Sequence, residues 1–166
     1  MWSKPISILL LSFVLGSAQQ QTADPSLPEG LSESERQMIL KERSPKPHVE
    51  TVLKISEPHL TNALKLAQEN QSGGAAQELD TFSSLIIYAD AYTRKLPKTQ
   101  LKDRNHCLKR IEQAIFKQTR NLEAIMRELS LESRETIDLK ISEVKKIRLR
   151  AINDLLGGGQ VMNSSN

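Results

Sequence analysis

The stretch AAQELDTFSSLIIYADAYTRKL, residues 75–96, decides the fold class of this chain. Its apolar residues recur at spacings of three and four, which is the period of one helix face. That wide face holds Ala75, Leu79, Phe82, Leu85, Ile86, Ala89, Tyr92 and Leu96. Ile87 and Tyr88 lie off it. We therefore predict a central helix over residues 75–96, ended by Pro97 because the residue before a proline disfavours helical geometry.

A second stripe of the same period precedes this helix, beginning near Pro45 and reaching Gln71. Pro58 lies inside it, where a proline removes one backbone hydrogen bond and clashes with the preceding turn. The apolar positions keep their phase across Pro58, so we predict one kinked helix rather than two. Ser72-Gly73-Gly74 is a cluster of helix breakers and is expected to separate this helix from the central one.

Three further helices follow from periodicity and capping signals. Ser32 and Glu35 have the spacing of a capping box, which predicts a short N-terminal helix. A long stripe runs over residues 99–129, and Ser130 is a suitable N-cap for a last helix that ends at residues 157–159, a run of glycines.

The sequence thus predicts an all-α fold, because no strand-like alternation bounded by turn signals occurs after the first 18 residues. Short connections favour an antiparallel bundle of about four helices, the first one proline-kinked, after the short N-terminal helix. The alternative is a set of elongated helical hairpins or a coiled-coil dimer, since the same spacings also suit a heptad seam.

The N-terminus resembles a secretory signal peptide in its pattern. Lys4 is followed by an apolar run over residues 6–15, which is shorter than the roughly 20 residues that span a bilayer, and then by Gly16-Ser17-Ala18. We expect cleavage near Ala18, against the alternative of an uncleaved anchor. The prediction is a signal peptide at 1–18, a flexible leader at 19–31, a single helical domain at 32–157, a disordered tail at 158–166, and export to the periplasm or extracellular space.

Cys107 is the only cysteine, so no disulfide can form within the chain. Three interpretations are open: a small buried thiol at the edge of an apolar stripe, an intermolecular disulfide, or a reactive nucleophile. His106 precedes it, but adjacent helical residues point about 100° apart, so this histidine is poorly placed as a base. No Glu-x-x-His pair, phosphate loop or catalytic set is present, so we expect neither a metal, a cofactor nor an enzyme.

The most ordered charge feature lies on the helix predicted over residues 99–129. At helical pitch a band of about 40° on its outer face collects five cations and one aromatic ring. This basic strip consists of Lys98, Lys102, Lys109, Phe116, Arg120 and Arg127. It suits an acidic partner, lipid headgroups or nucleic acid, and the alternative is a solvated outer face, since Glu112 and Glu123 border and dilute it.

Arg148 is misplaced, because it falls in the middle of the apolar stripe of the last helix. That stripe consists of Ile137, Ile141, Val144, Ala151, Ile152 and Leu155. An inward arginine needs a carboxylate or must extend to the rim, and Asp90 is the candidate partner. The functional alternative is that this part of the stripe is an interface.

We expect an exported, non-enzymatic helical protein that acts through protein contacts, with a homodimer among the assemblies left open. Alternatives are a small-ligand- or metal-binding bundle, or peripheral membrane binding through the basic strip. The formal charge of +3, one unit lower without Lys4, is too small to indicate nucleic acid, and export argues against it.

Overall fold

The computed structural model describes residues 25–157, and every regular element in that range is helical. The five α-helices are α1 (Glu33–Lys41), α2 (Pro45–Gln68), α3 (Ser72–Lys95), α4 (Leu101–Glu128) and α5 (Leu131–Leu155), with a 3-10 turn at Lys98–Gln100 before α4. The predicted all-α bundle is confirmed. The predicted signal peptide with its predicted cleavage near Ala18, the first part of the predicted leader and the predicted tail lie outside the described residues.

The long helices form two antiparallel hairpins, α2 with α3 and α4 with α5, packed side by side. Helix α2 lies beside α4 in a parallel sense, because Lys46 near the start of α2 pairs with Asp103 near the start of α4 at 3.0 Å. Helix α3 runs parallel to α5, since Arg150 of α5 reaches Asp90 of α3 at 3.1 Å. Helices α3 and α4 also touch across the diagonal, so each of them contacts all three other long helices.

Helix α3 packs against three long helices, and its buried face is correspondingly broad. Phe82 and Leu85 are among the most buried side chains, as predicted. Tyr88 was expected off the apolar face, but it is buried, with 6% of its surface exposed. That expectation was wrong because a helix with neighbours on three sides buries more than one stripe.

The break between α2 and α3 lies earlier than the glycines suggested. Asn70 takes a left-handed φ of 59°, its N–H donates to Ala67, and the Gln71 N–H donates to the Leu66 carbonyl at 2.8 Å. This pair of bonds is the Schellman arrangement that ends helices. The predicted breaker at residues 72–74 is instead the first turn of α3. The prediction was wrong because an asparagine supplies the left-handed residue.

The other helix ends follow the sequence signals. The capping box is formed, with Glu35 accepting the Ser32 N–H at 2.8 Å, and Ser130 caps α5. Helix α2 is continuous through Pro58. In α5 the predicted core residues Ile137, Ile141, Val144 and Ala151 are buried. Ile147, which the predicted stripe omitted, is also buried at 1% exposed, whereas Leu155, which the stripe included, is 38% exposed.

Candidate functional site

All six members of the basic strip project from the outer side of α4 and the 3-10 turn before it. The five cations are exposed, and Phe116 is 62% exposed. Within residues 25–157, none of the side chains of these five cations is ion-paired to a carboxylate of the same chain. The strip is therefore a solvent-facing basic surface with one aromatic ring, as the helical pitch indicated.

Arg148 joins this surface from α5. Its guanidinium carbon lies 4.7 Å from the centroid of the Phe116 ring, and its Nε donates to Glu112 Oε1 at 3.1 Å. The proposed pairing of Arg148 with Asp90 is wrong: Arg148 points toward α4 and reaches its rim, with 31% of its side chain exposed. Glu112, expected to dilute the strip, is thus compensated by Arg148.

Asp90 serves two other arginines. Its carboxylate, 6% exposed, accepts from Arg94 Nε at 2.9 and 3.0 Å and from Arg150 Nη2 at 3.1 Å. Arg94 also pairs with Asp154, and Arg150 with Glu143. Burial alone would lower the pKa of Arg94, but the hydrogen bonds and charges of Asp90 and Asp154 outweigh it and raise that pKa. This network ties α3 to α5 and is structural.

Cys107 is 1% exposed and lies in the core between α4 and α2. Its Sγ donates to the Pro45 carbonyl at 3.7 Å. Burial, followed by the charges of Asp103 and Glu50, raises the pKa of the thiol to about 11. A thiol with that pKa is a poor nucleophile at neutral pH. An intermolecular disulfide stays a prediction, and it would require Cys107 to leave the core.

The histidines are held in three separate places. His106 pairs with Glu50 at 3.1 Å on the surface. His59 lies between two carboxylates, with Nδ1 at 2.6 Å from Glu78 and Nε2 at 3.3 Å from Glu35. His48 is buried. Across residues 25–157, no three His, Cys, Asp or Glu side chains are grouped so that they would hold a metal ion.

The sequence reading missed an aromatic cluster built on His48. Its ring stacks on Tyr92, with centroids 4.1 Å apart and planes 16° apart, and its Nε2 lies 3.0 Å from the Tyr88 hydroxyl. The position of the turn in the α2–α3 hairpin would have predicted this cluster. A turn centred on Asn70 places residue 48 of α2 opposite residue 92 of α3.

No family model, curated protein or solved structure matches this chain. In the described part of the chain no helix has the length and apolar character that crossing a bilayer demands. The candidate sites are therefore judged on their geometry alone.

Proposed function

We propose that this protein is an exported, non-enzymatic helical module that binds an acidic segment of a partner protein along the basic strip of α4. The observation that carries the proposal is the contact of Arg148 with Phe116 and Glu112. It places a guanidinium against the exposed ring and offsets the charge of Glu112, one of the two carboxylates that border the strip. Glu123, the other one, is exposed and has no ion pair within residues 25–157. Support for export is the N-terminal pattern of Lys4, the apolar run and Ala18.

The dimensions of the strip suit an extended or helical peptide. Helix α4 has 28 residues, which corresponds to about 42 Å, and the cations are distributed along this length. Exposed charges of one sign attract an oppositely charged partner and speed its association. An exposed aromatic ring at the middle of such a surface is the kind of residue that anchors protein contacts.

A protein fits this surface better than a lipid bilayer. Helices that lie in the membrane interface bury a broad apolar face of Leu, Phe or Trp below their cationic side chains. Here Phe116 is the single large apolar residue of the strip, and the apolar face of α4 is occupied by the bundle core.

The test is site-specific photocrosslinking in intact cells that make the full-length protein. A photoreactive phenylalanine analogue replaces Phe116, and a matched control places it at Leu139, which is 82% exposed on α5. We expect position 116 to capture one partner through an acidic segment, and position 139 not to capture it. The charge-reversed variant Lys109→Glu/Arg120→Glu should reduce the crosslink at least tenfold.

Binding is then measured with the purified protein and a synthetic peptide of the crosslinked acidic segment. We expect affinity to fall with added salt, and Phe116→Ala to weaken binding severalfold while the melting temperature stays within about 1 °C, because the ring is largely exposed. Equal crosslinking at positions 116 and 139, or a peptide affinity insensitive to charge reversal, would refute the proposal. Sedimentation with anionic vesicles, abolished by charge reversal and without any protein crosslink, would assign the strip to a membrane instead.

A further inference from the structure

A cavity of about 570 Å³ opens where residues 25–27, the connection between α1 and α2, and helix α3 meet. Its volume lies within the roughly 300–1,000 Å³ of sites that hold small molecules. Its walls combine the aromatic cluster with charged and apolar groups at the rim. None of its lining residues belongs to the basic strip, so it is separate from the proposed partner surface.

The floor of the cavity is a fixed aromatic platform. His48 Nδ1 lies 3.1 Å from the Glu42 carbonyl oxygen, which only accepts hydrogen bonds, so Nδ1 carries the hydrogen. In the neutral ring Nε2 is then the acceptor, and it accepts a hydrogen bond from the Tyr88 hydroxyl, whose oxygen lies 3.0 Å away. Both nitrogens are engaged, so the ring is held for packing rather than for proton transfer. Tyr92 stacks on it and also lines the cavity.

The lining also includes one acidic residue, one basic residue and one exposed apolar residue. Glu42 and Arg43 are consecutive residues that both line the cavity. Neither makes a side-chain ion pair with another residue in the range 25–157. Leu40, which also lines it, is 65% exposed. A ligand with a planar ring and both charges could pair with all of these groups. A simple anion would be repelled by Glu42, and a simple cation would be repelled by Arg43.

We propose that this cavity binds a free aromatic amino acid. The ring of the ligand packs between Tyr92 and Leu40, its α-carboxylate pairs with Arg43, and its α-ammonium pairs with Glu42. Aromatic stacking and a guanidinium–carboxylate pair are the two contacts that give such small sites their selectivity. The inference goes beyond the proposed partner binding, because it assigns a small ligand to a different face of the bundle.

The first test is calorimetric and ligand-observed NMR titration of the purified full-length protein with L-phenylalanine. Three analogues each remove one feature: L-leucine lacks the ring, phenethylamine lacks the carboxylate and 3-phenylpropionate lacks the ammonium group. We expect saturable binding of L-phenylalanine, and each analogue to bind at least tenfold more weakly. No saturable binding of L-phenylalanine overturns the proposal, and so does an analogue that binds as tightly as L-phenylalanine.

The second test asks whether L-phenylalanine binds in this cavity, using variants of its lining residues. Tyr92→Phe keeps the ring and should keep binding within about twofold, whereas Tyr92→Leu should weaken it at least tenfold. Arg43→Gln, an exposed position whose variant should fold, should reduce affinity at least tenfold and abolish the preference for L-phenylalanine over phenethylamine. The matched control, Arg127→Gln at the C-terminal end of α4, should leave the binding of L-phenylalanine unchanged. Equal loss in the Arg43 and Arg127 variants overturns the proposal.

The two proposals fail independently. Lys109→Glu/Arg120→Glu should abolish capture of the acidic partner and leave amino acid binding intact. Arg43→Gln should do the reverse.

Discussion

Replacement of Asp90 by alanine is the sharpest test of how the bundle is held together. The carboxylate is 6% exposed and is shared by Arg94 of the same helix and Arg150 of α5. Removing it leaves two guanidinium groups facing a site from which water is largely excluded. Loss of one partner from a buried ion pair destabilises a protein by about 3–5 kcal/mol, because the remaining charge is left uncompensated.

The expected magnitude lies at the low end of that range. Arg94 keeps Asp154 at 2.9 Å and Arg150 keeps Glu143 at 2.8 Å, and the two side chains are 30% and 42% exposed, so both retain a partner and some water. We therefore expect Asp90→Ala to lower the free energy of unfolding by about 3 kcal/mol. For a chain of this size, that corresponds to a fall in melting temperature of about 6–12 °C.

The assay is urea denaturation and thermal melting followed by far-UV circular dichroism. Asp154→Ala is the matched control, since it removes a carboxylate from the same Arg94 but at a site 37% exposed. We expect that variant to lose less than about 1 kcal/mol, as exposed pairs do. If both variants lost the same small amount, Asp90 would not be the buried anchor of the α3–α5 contact. If Arg148→Met suppressed the effect of Asp90→Ala in a double-mutant cycle, the partner assignment would be wrong.

Three further predictions concern single residues outside this network. The thiol of Cys107, with its pKa raised to about 11, should react with iodoacetamide at pH 8 far more slowly than in urea-unfolded protein; rapid labelling of the folded chain would contradict its burial. Burial alone would raise the pKa of Glu35, but hydrogen bonds from Ser32 and the charge of His59 outweigh it and lower that pKa. The ionised Glu35 carboxylate therefore stabilises the fold above about pH 4.3, and this contribution is lost as pH falls through the pKa of the folded state. In the Glu35→Gln variant the free energy of unfolding should therefore fall less steeply at acidic pH, and an unchanged pH dependence would refute this. Pro58→Ala in α2 should raise the free energy of unfolding by about 1–3 kcal/mol, measured by urea denaturation, because alanine restores the backbone N–H that proline lacks; an unchanged or lower value would contradict this.

Periodicity and capping chemistry predicted the helices because both are local. The Ser32 and Ser130 caps form through side chains three residues apart, and the α3 face follows from spacing alone. The errors arose where the answer depended on a neighbouring helix. Tyr88 is buried because α3 has three neighbours, and Ile147 replaces Leu155 in the core because α5 meets both α3 and α4.

The candidate sites also divide into features that are local to one helix and features that depend on a neighbouring helix. The outward direction of the basic strip could be predicted, since it depends only on helical pitch. The contact of Arg148 with Phe116 was not predicted, because it follows from the centre of the α4–α5 turn and not from the pitch of one helix: a turn centred on Ser130 places residue 148 opposite residue 112, one helical turn from Phe116. Pairing of side chains across helices depends on where the turn between them is centred, which the periodicity of each helix does not fix.

Exposure of Phe116 would by itself be weak evidence of function. Leu139 and Leu149 are exposed to 82% and 62% on α5, and scattered exposed apolar side chains are normal on protein surfaces. Phe116 differs because a guanidinium is held against its ring and tied at 3.1 Å to Glu112. Fixing that arginine removes rotamer freedom from a long side chain, and the arrangement orders the ring before any partner arrives. Association with an ordered ring costs less conformational entropy, which is why the contact, rather than the exposure, supports the proposed binding surface.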